Sequence, residues 1–253
     1  MHKMVIAGNW KMNLNHIEGA TVARALVDSL ADREFGCEII LIPPFTTIPA
    51  VLEAVSGSNV AVGAQDLYFE EEGAFTGEIS GRMLRSLGCK YVLVGHSERR
   101  HVLGEGGEIL ARKVRAALRA GLFPIFCVGE LLAEREADRA EEIVVAQLGE
   151  CLEGLSSEEI SKIIIAYEPV WAIGTGKTAT RDDASHMHGV IRKTLGTLFG
   201  KDISSVMIIL YGGSVKPGNA SDLLSDPEID GVLVGGASLG ADSFSAIISS
   251  TCD

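Results

Sequence analysis

Eight short apolar runs punctuate this chain at nearly even spacing, and no other feature limits its fold more. They occupy residues 4–7, 37–42, 60–64, 91–94, 122–128, 163–167, 206–211 and 231–234. Runs without polar alternation suit strands buried on both faces, as in a parallel sheet. Between most of them lie stretches with apolar residues three and four apart, at 19–35, 105–120, 134–152 and 182–199, the pattern of amphipathic helices. The stretches after the second and seventh runs are shorter, and the connection after the third begins with a polar loop. The first run starts at Met4 and the last at Gly231, so the seven steps average roughly 32 residues, the size of one βα unit. Eight such units predict an α/β fold, a closed (β/α)8 barrel, as a single domain over residues 1–253. An open doubly wound sheet is the alternative that the pattern leaves.

The charge balance narrows the function. The chain carries 22 basic and 34 acidic residues, a formal net charge of −12, which argues against a nucleic-acid partner because such partners need clustered Lys and Arg. A small anion needs only local positive potential and is not excluded. The five cysteines (Cys37, Cys89, Cys127, Cys151 and Cys252) are odd in number and form no CxxC pair, so free thiols in a reducing cytoplasm are expected. The apolar run at 4–7 is too short for a signal peptide. Nowhere do about 18 apolar residues follow one another, so no membrane span is expected.

In α/β barrels chemistry sits at the carboxyl ends of the strands. After the first run comes Gly8-Asn9-Trp10-Lys11. After the fourth comes Gly95-His96-Ser97-Glu98, and after the sixth Glu168-Pro169 leads into a segment with Gly174 and Gly176. Gly212-Gly213-Ser214 follows the seventh run and Gly235-Gly236 the eighth. Lys11 supplies a fixed positive charge, His96 can donate a hydrogen bond, and Glu168 can take a proton. The glycine pairs expose backbone N–H groups that can cradle a phosphate without a side-chain charge. A base, an electrophile, a cation and a phosphate cradle together suit proton removal next to a carbonyl. Singly, each has an ordinary reading: a solvated lysine, a capping histidine, a strand-ending glutamate, two tight turns. What joins them is their common position at one end of the predicted barrel. The segment from Pro169 to Thr178 is stiff at its start and glycine-rich in its middle, as suits a lid that moves as a unit.

Three local patterns mislead. Gly176-Lys177-Thr178 looks like the end of a phosphate loop, but Trp171 stands where its first glycine belongs, and the triplet does not follow the strand directly. His96-Ser97-Glu98 lacks the Pro-Cys-x-x-Cys partner of a zinc deaminase. His186 and His188, two apart in a predicted helix, diverge. No metal site and no cofactor is expected.

The segments Ala7-Gly8-Asn9-Trp10-Lys11-Met12-Asn13, Val94-Gly95-His96-Ser97-Glu98-Arg99-Arg100, Ala166-Tyr167-Glu168-Pro169-Val170-Trp171-Ala172-Ile173-Gly174-Thr175-Gly176-Lys177 and Tyr211-Gly212-Gly213-Ser214-Val215 closely resemble the triosephosphate isomerase family. The resemblance extends in order over essentially the whole chain. It implies a TIM barrel that interconverts dihydroxyacetone phosphate and glyceraldehyde 3-phosphate, a reaction of glycolysis and gluconeogenesis. By position it implies Glu168 as the base, His96 as the electrophile, and Lys11 and Asn9 as substrate contacts. Gly174, Ser214, Gly235 and Gly236 would then offer N–H groups to the phosphate. Spacing leaves open whether Glu98 pairs with Lys11. The rival readings are another sugar-phosphate enzyme on the same barrel and an inactive phosphate-binding sensor.

A homodimer is also expected. The loop from Gln65 to Ser80 is long for a compact barrel, and Gly73 and Gly77 bracket Phe75 at its tip. The resemblance implies that this loop enters a partner subunit, with Thr76 near the partner's Asn9 and Lys11.

Overall fold

The structure, a computed structural model, describes residues 4–31, 33, 35–172 and 179–251. Eight parallel strands close into one barrel in sequence order: β1 (Met4–Asn9), β2 (Cys37–Ile42), β3 (Val60–Ala64), β4 (Tyr91–Val94), β5 (Phe123–Val128), β6 (Ile164–Tyr167), β7 (Ile209–Tyr211) and β8 (Gly231–Val234). The pairing of β1 with β8, Val5 opposite Gly231, closes the ring and removes the sheet edges that the open alternative would leave. The chain is thus a single-domain (β/α)8 TIM barrel. Helices follow the strands on the outside, the longest being His16–Leu30, Gly107–Arg119, Ala140–Leu152 and Arg181–Phe199. No helix among the described residues is long and apolar enough to cross a membrane.

Two elements differ from the pattern expected. The stretch 134–152 is broken into Leu132–Glu136 and Ala140–Leu152, because Asp138 lies between them at φ 55, a left-handed conformation that Asp tolerates and a helix does not. The seventh run yields only the strand Ile209–Tyr211, since Val206 still closes a turn on Ile203 at 3.0 Å. Helix starts follow capping chemistry. Asn15 and Glu18 form a capping box at His16–Leu30, and Thr180 and Asp183 form another at Arg181–Phe199, each satisfying first-turn N–H groups.

The core has two shells. Val5 and Ala7, Ile40 and Ile42, Tyr91 and Leu93, Ile125 and Cys127, Ile164 and Ala166 fill the barrel. Their alternate neighbours, such as Ile6, Leu41, Val92, Phe126 and Ile165, pack outward beneath the helices. This is the period of two of a strand. One further step of the same alternation brings Asn9, Gly129, Glu168, Gly212 and Gly235 to inward positions at the carboxyl end. That end carries small or polar residues where the layers below are filled by apolar ones, and a cavity opens there.

Candidate active site

A cavity of about 550 Å³ at the carboxyl ends of the strands is lined by Asn9, Lys11, His96, Glu168, Ser214, Gly235 and Gly236, among others. Every site residue expected from the sequence lies on it except Gly174, which falls outside the described residues with the rest of 173–178.

Glu168 sits in space that glycines leave free. A Cβ on Gly129 would stand 1.8 Å from the Glu168 carbonyl oxygen, and one on Gly212 would stand 2.9 Å from its Cγ. The backbone is held by Glu168 N–H donating to Val128 at 2.8 Å and by Gly212 N–H donating to Tyr167 at 2.7 Å. The carboxylate is only 2% exposed. Its Oε2 accepts from the Ser97 N–H at 2.8 Å and its Oε1 meets His96 Nε2 at 3.0 Å.

His96 follows Gly95, whose φ of 77 turns the chain out of the strand path and swings the next side chain over the barrel mouth. Arg100 fixes that turn, donating to Gly95 O at 2.8 Å and Cys127 O at 2.9 Å. The ring caps the short helix Ser97–His101: Nδ1 accepts from the Glu98 N–H at 3.3 Å. An accepting Nδ1 leaves the proton on Nε2, the nitrogen that faces the cavity.

The two groups titrate as a pair. Burial opposes charge on the imidazole, but the attraction of Glu168 outweighs it and lifts His96 above its usual range. Burial likewise opposes the carboxylate, but His96, the Ser97 N–H and Lys11 together hold Glu168 below the ordinary carboxylate range. The Glu98 N–H at Nδ1 works against the protonated ring. The elevation of His96 therefore belongs to its contact with Glu168 and disappears when that contact is broken.

Lys11 adopts φ 51. Its N–H donates to Asn9 Oδ1 at 3.0 Å, its carbonyl accepts from Gln65 Nε2 at 2.7 Å, and its ammonium meets Glu98 Oε1 at 2.6 Å. The pairing with Glu98, left open by spacing, is thus present. Across the cavity, Asn219 bridges Ser214 O at 2.9 Å and Lys216 N–H at 2.7 Å and fixes the turn after β7. Ser238 Oγ donates to Gly235 O at 2.7 Å and fixes the turn after β8. Among the described residues, the N–H groups of Ser214, Gly235 and Gly236 donate to no protein acceptor, so they are free for an anion.

Sequence reasoning missed Glu130. It is fully buried and accepts from Trp171 Nε1 at 2.7 Å and Tyr167 Oη at 3.1 Å, while Val170 N–H donates to its carbonyl at 3.2 Å. It thereby anchors the start of the segment after Glu168. Gly129-Glu130 is a polar interruption directly after the fifth run, a signal of the same kind as those used for the other strands. In the loop from Gln65 to Ser80, Phe75 is 40% exposed and its ring lies 4.7 Å from that of Tyr68.

Comparison with known proteins follows the same path. The sequence model of one family, described as Triosephosphate isomerase, matches residues 4–251. A protein of Roseiflexus sp. (strain RS-1) named triosephosphate isomerase is 53% identical over 248 residues, covering 98% of this chain and 97% of its own. Proteins of the same name from Carboxydothermus hydrogenoformans and Rhodopirellula baltica are 52% and 49% identical, covering 98% and 97% of this chain and 98% and 96% of their own.

Proposed function

The chain belongs to the triosephosphate isomerase family, and we propose that it interconverts dihydroxyacetone phosphate and glyceraldehyde 3-phosphate with Glu168 as base, His96 as electrophile and Lys11 as fixed cation. The observation that carries this reading is the buried Glu168–His96 contact of 3.0 Å, in a cavity that also holds a lysine and three unpaired N–H groups. The N–H groups of Ser214, Gly235 and Gly236, joined by that of Gly174, hold the phosphate. Asn9 and Lys11 meet the substrate oxygens. No cofactor takes part.

The substrate carbonyl and Glu168 compete for one donor, the Nε2–H of His96. Binding therefore displaces the carboxylate toward the carbon beside the carbonyl. Freed from His96 and the Ser97 N–H, it loses the interactions that keep it weakly basic while burial persists, so its proton affinity rises. Glu168 then takes the proton from that carbon. The C–H electron pair becomes the carbon–carbon double bond, and the carbonyl oxygen takes the charge as an enediolate, stabilised by Nε2–H and Lys11. His96 passes the hydroxyl proton between the two oxygens, and Glu168 returns its proton to the other carbon. The segment from Pro169 to Thr178 closes over the intermediate and keeps water out. Glu168→Gln should lower kcat by at least about 10²–10⁴-fold while binding of an inert phosphate analogue persists. Near-normal turnover would overturn the assignment.

The working unit in this reading is a homodimer in the cytoplasm, each subunit one catalytic domain. Met12, Phe75, Met83 and Val102, in segments that follow β1, β3 and β4, are exposed apolar residues that a dimer contact would take out of water. Cys89, Cys127 and Cys151 are free and buried.

A further inference from the structure

We propose that Gln65 is a positioning residue for this reaction: its carboxamide holds the Lys11 main chain in the left-handed conformation that presents the ammonium to the cavity. The proposal rests on Lys11 acting on substrate, as read above. A residue with a Cβ seldom stays at φ 51 unless its surroundings hold it there. Two groups do so. Asn9 Oδ1 takes the Lys11 N–H at 3.0 Å, and Gln65 Nε2 donates to the Lys11 carbonyl at 2.7 Å.

The same Gln65 nitrogen reaches Ile42 O at 3.0 Å. One NH2 group thus spends both hydrogens joining the end of β2 to the turn that carries Lys11. Ile42 O has a second donor, Trp10 N–H at 3.1 Å. The Lys11 carbonyl has Gln65 alone among the described residues, so the lysine turn is what loses most if the amide is removed. Register explains why the reach is possible. Ala61 packs against the barrel interior, and Gln65 continues the same alternation past the end of β3. The ion pair at the other end of the lysine orients it less firmly, because Glu98 is half exposed and exposed pairs are weakly directing.

The test is a double-mutant cycle on kcat/KM. Gln65→Leu keeps the bulk of the side chain and removes both donated hydrogens. Alone it should lower kcat/KM by about 10–100-fold, the scale of misplacing a catalytic group by about an ångström, with the circular dichroism spectrum retained. In a Lys11→Ala background the same change should alter kcat/KM by less than about threefold, because there is no ammonium left to position. An equal loss in both backgrounds would overturn the proposal and make Gln65 a structural residue. If Gln65→Leu does not fold, the shorter amide of Gln65→Asn serves in the same cycle, and failure of both to fold would also overturn it. Unchanged kcat/KM in Lys11→Ala alone would instead overturn the role of Lys11, and the positioning role with it.

Discussion

Gly129→Ala adds one methyl group, with no change of charge, and should disable the site. The new carbon would stand 1.8 Å from the Glu168 carbonyl oxygen and 2.7 Å from its carbonyl carbon, where ordinary contact begins at 3.4 Å. One strand end or the other must therefore retreat by about 1.6 Å, the difference between 3.4 and 1.8. Neither has room to do so freely. The Gln147 carboxamide grips Gly129 from behind, accepting from its N–H at 2.9 Å and donating to its carbonyl at 3.0 Å. Glu168 is pinned to Val128 at 2.8 Å. Overpacking of this kind costs about 1–3 kcal/mol, a fall in Tm of about 2–12 °C for a chain of this size. The displacement passes straight to Glu168, the proposed base, and a misplacement of about 1 Å is worth about 10²-fold in rate. Steady-state assays with both triose phosphates, beside thermal melts, measure the two effects. Turnover within about twofold of the unmodified protein would refute the reasoning. Gly149→Ala is the control: it lies inside the helix Ala140–Leu152 with nothing within 4 Å of the added carbon, and it should raise stability by about 0.5–1 kcal/mol.

Burial lowers the pKa of His188 from 6.5 to about 4, so between those values the unfolded chain binds a proton that the native one refuses. Stability should fall as pH drops from about 6.5 to about 4, by up to about 3 kcal/mol from this residue, and denaturant melts of His188→Gln should show a shallower fall over that window. Deleting Ala74, Phe75 and Thr76 should yield monomers of low activity; sedimentation that shows a fully active monomer would contradict the dimer. Hydrogen exchange in residues 169–178 should slow when a substrate analogue binds, and unchanged exchange would count against a lid.

The strands were legible because a barrel strand is buried on both sides and so reads as an unbroken apolar run. Lys11, His96 and Glu168 were legible because each lies within four residues of the end of such a run, at the end of the barrel where chemistry sits. Glu130 was not. Its partners Trp171 and Tyr167 lie 41 and 37 residues away, and only the pairing of β5 with β6, Val128 opposite Tyr167, brings them together. Gly129 looked like any turn glycine, since its need arises from the backbone of the neighbouring strand and not from its own φ. The break at Asp138 was hidden for a similar reason: the apolar spacing continues through it while the main chain does not.

The contact between Glu168 and His96 Nε2 has a consequence for traffic through the site. In an open polar pocket each arriving ligand must displace whatever already meets its donors. In the proposed reaction the Glu168 carboxylate takes the place of the ligand oxygen at His96 Nε2 when that oxygen leaves. Entry and exit become a swap of one acceptor for another at a single N–H, with no interval in which the donor is unmet. A carboxylate accepts more strongly than a neutral carbonyl oxygen, so in the proposed reaction the swap favours release, whichever of the two sugars is leaving.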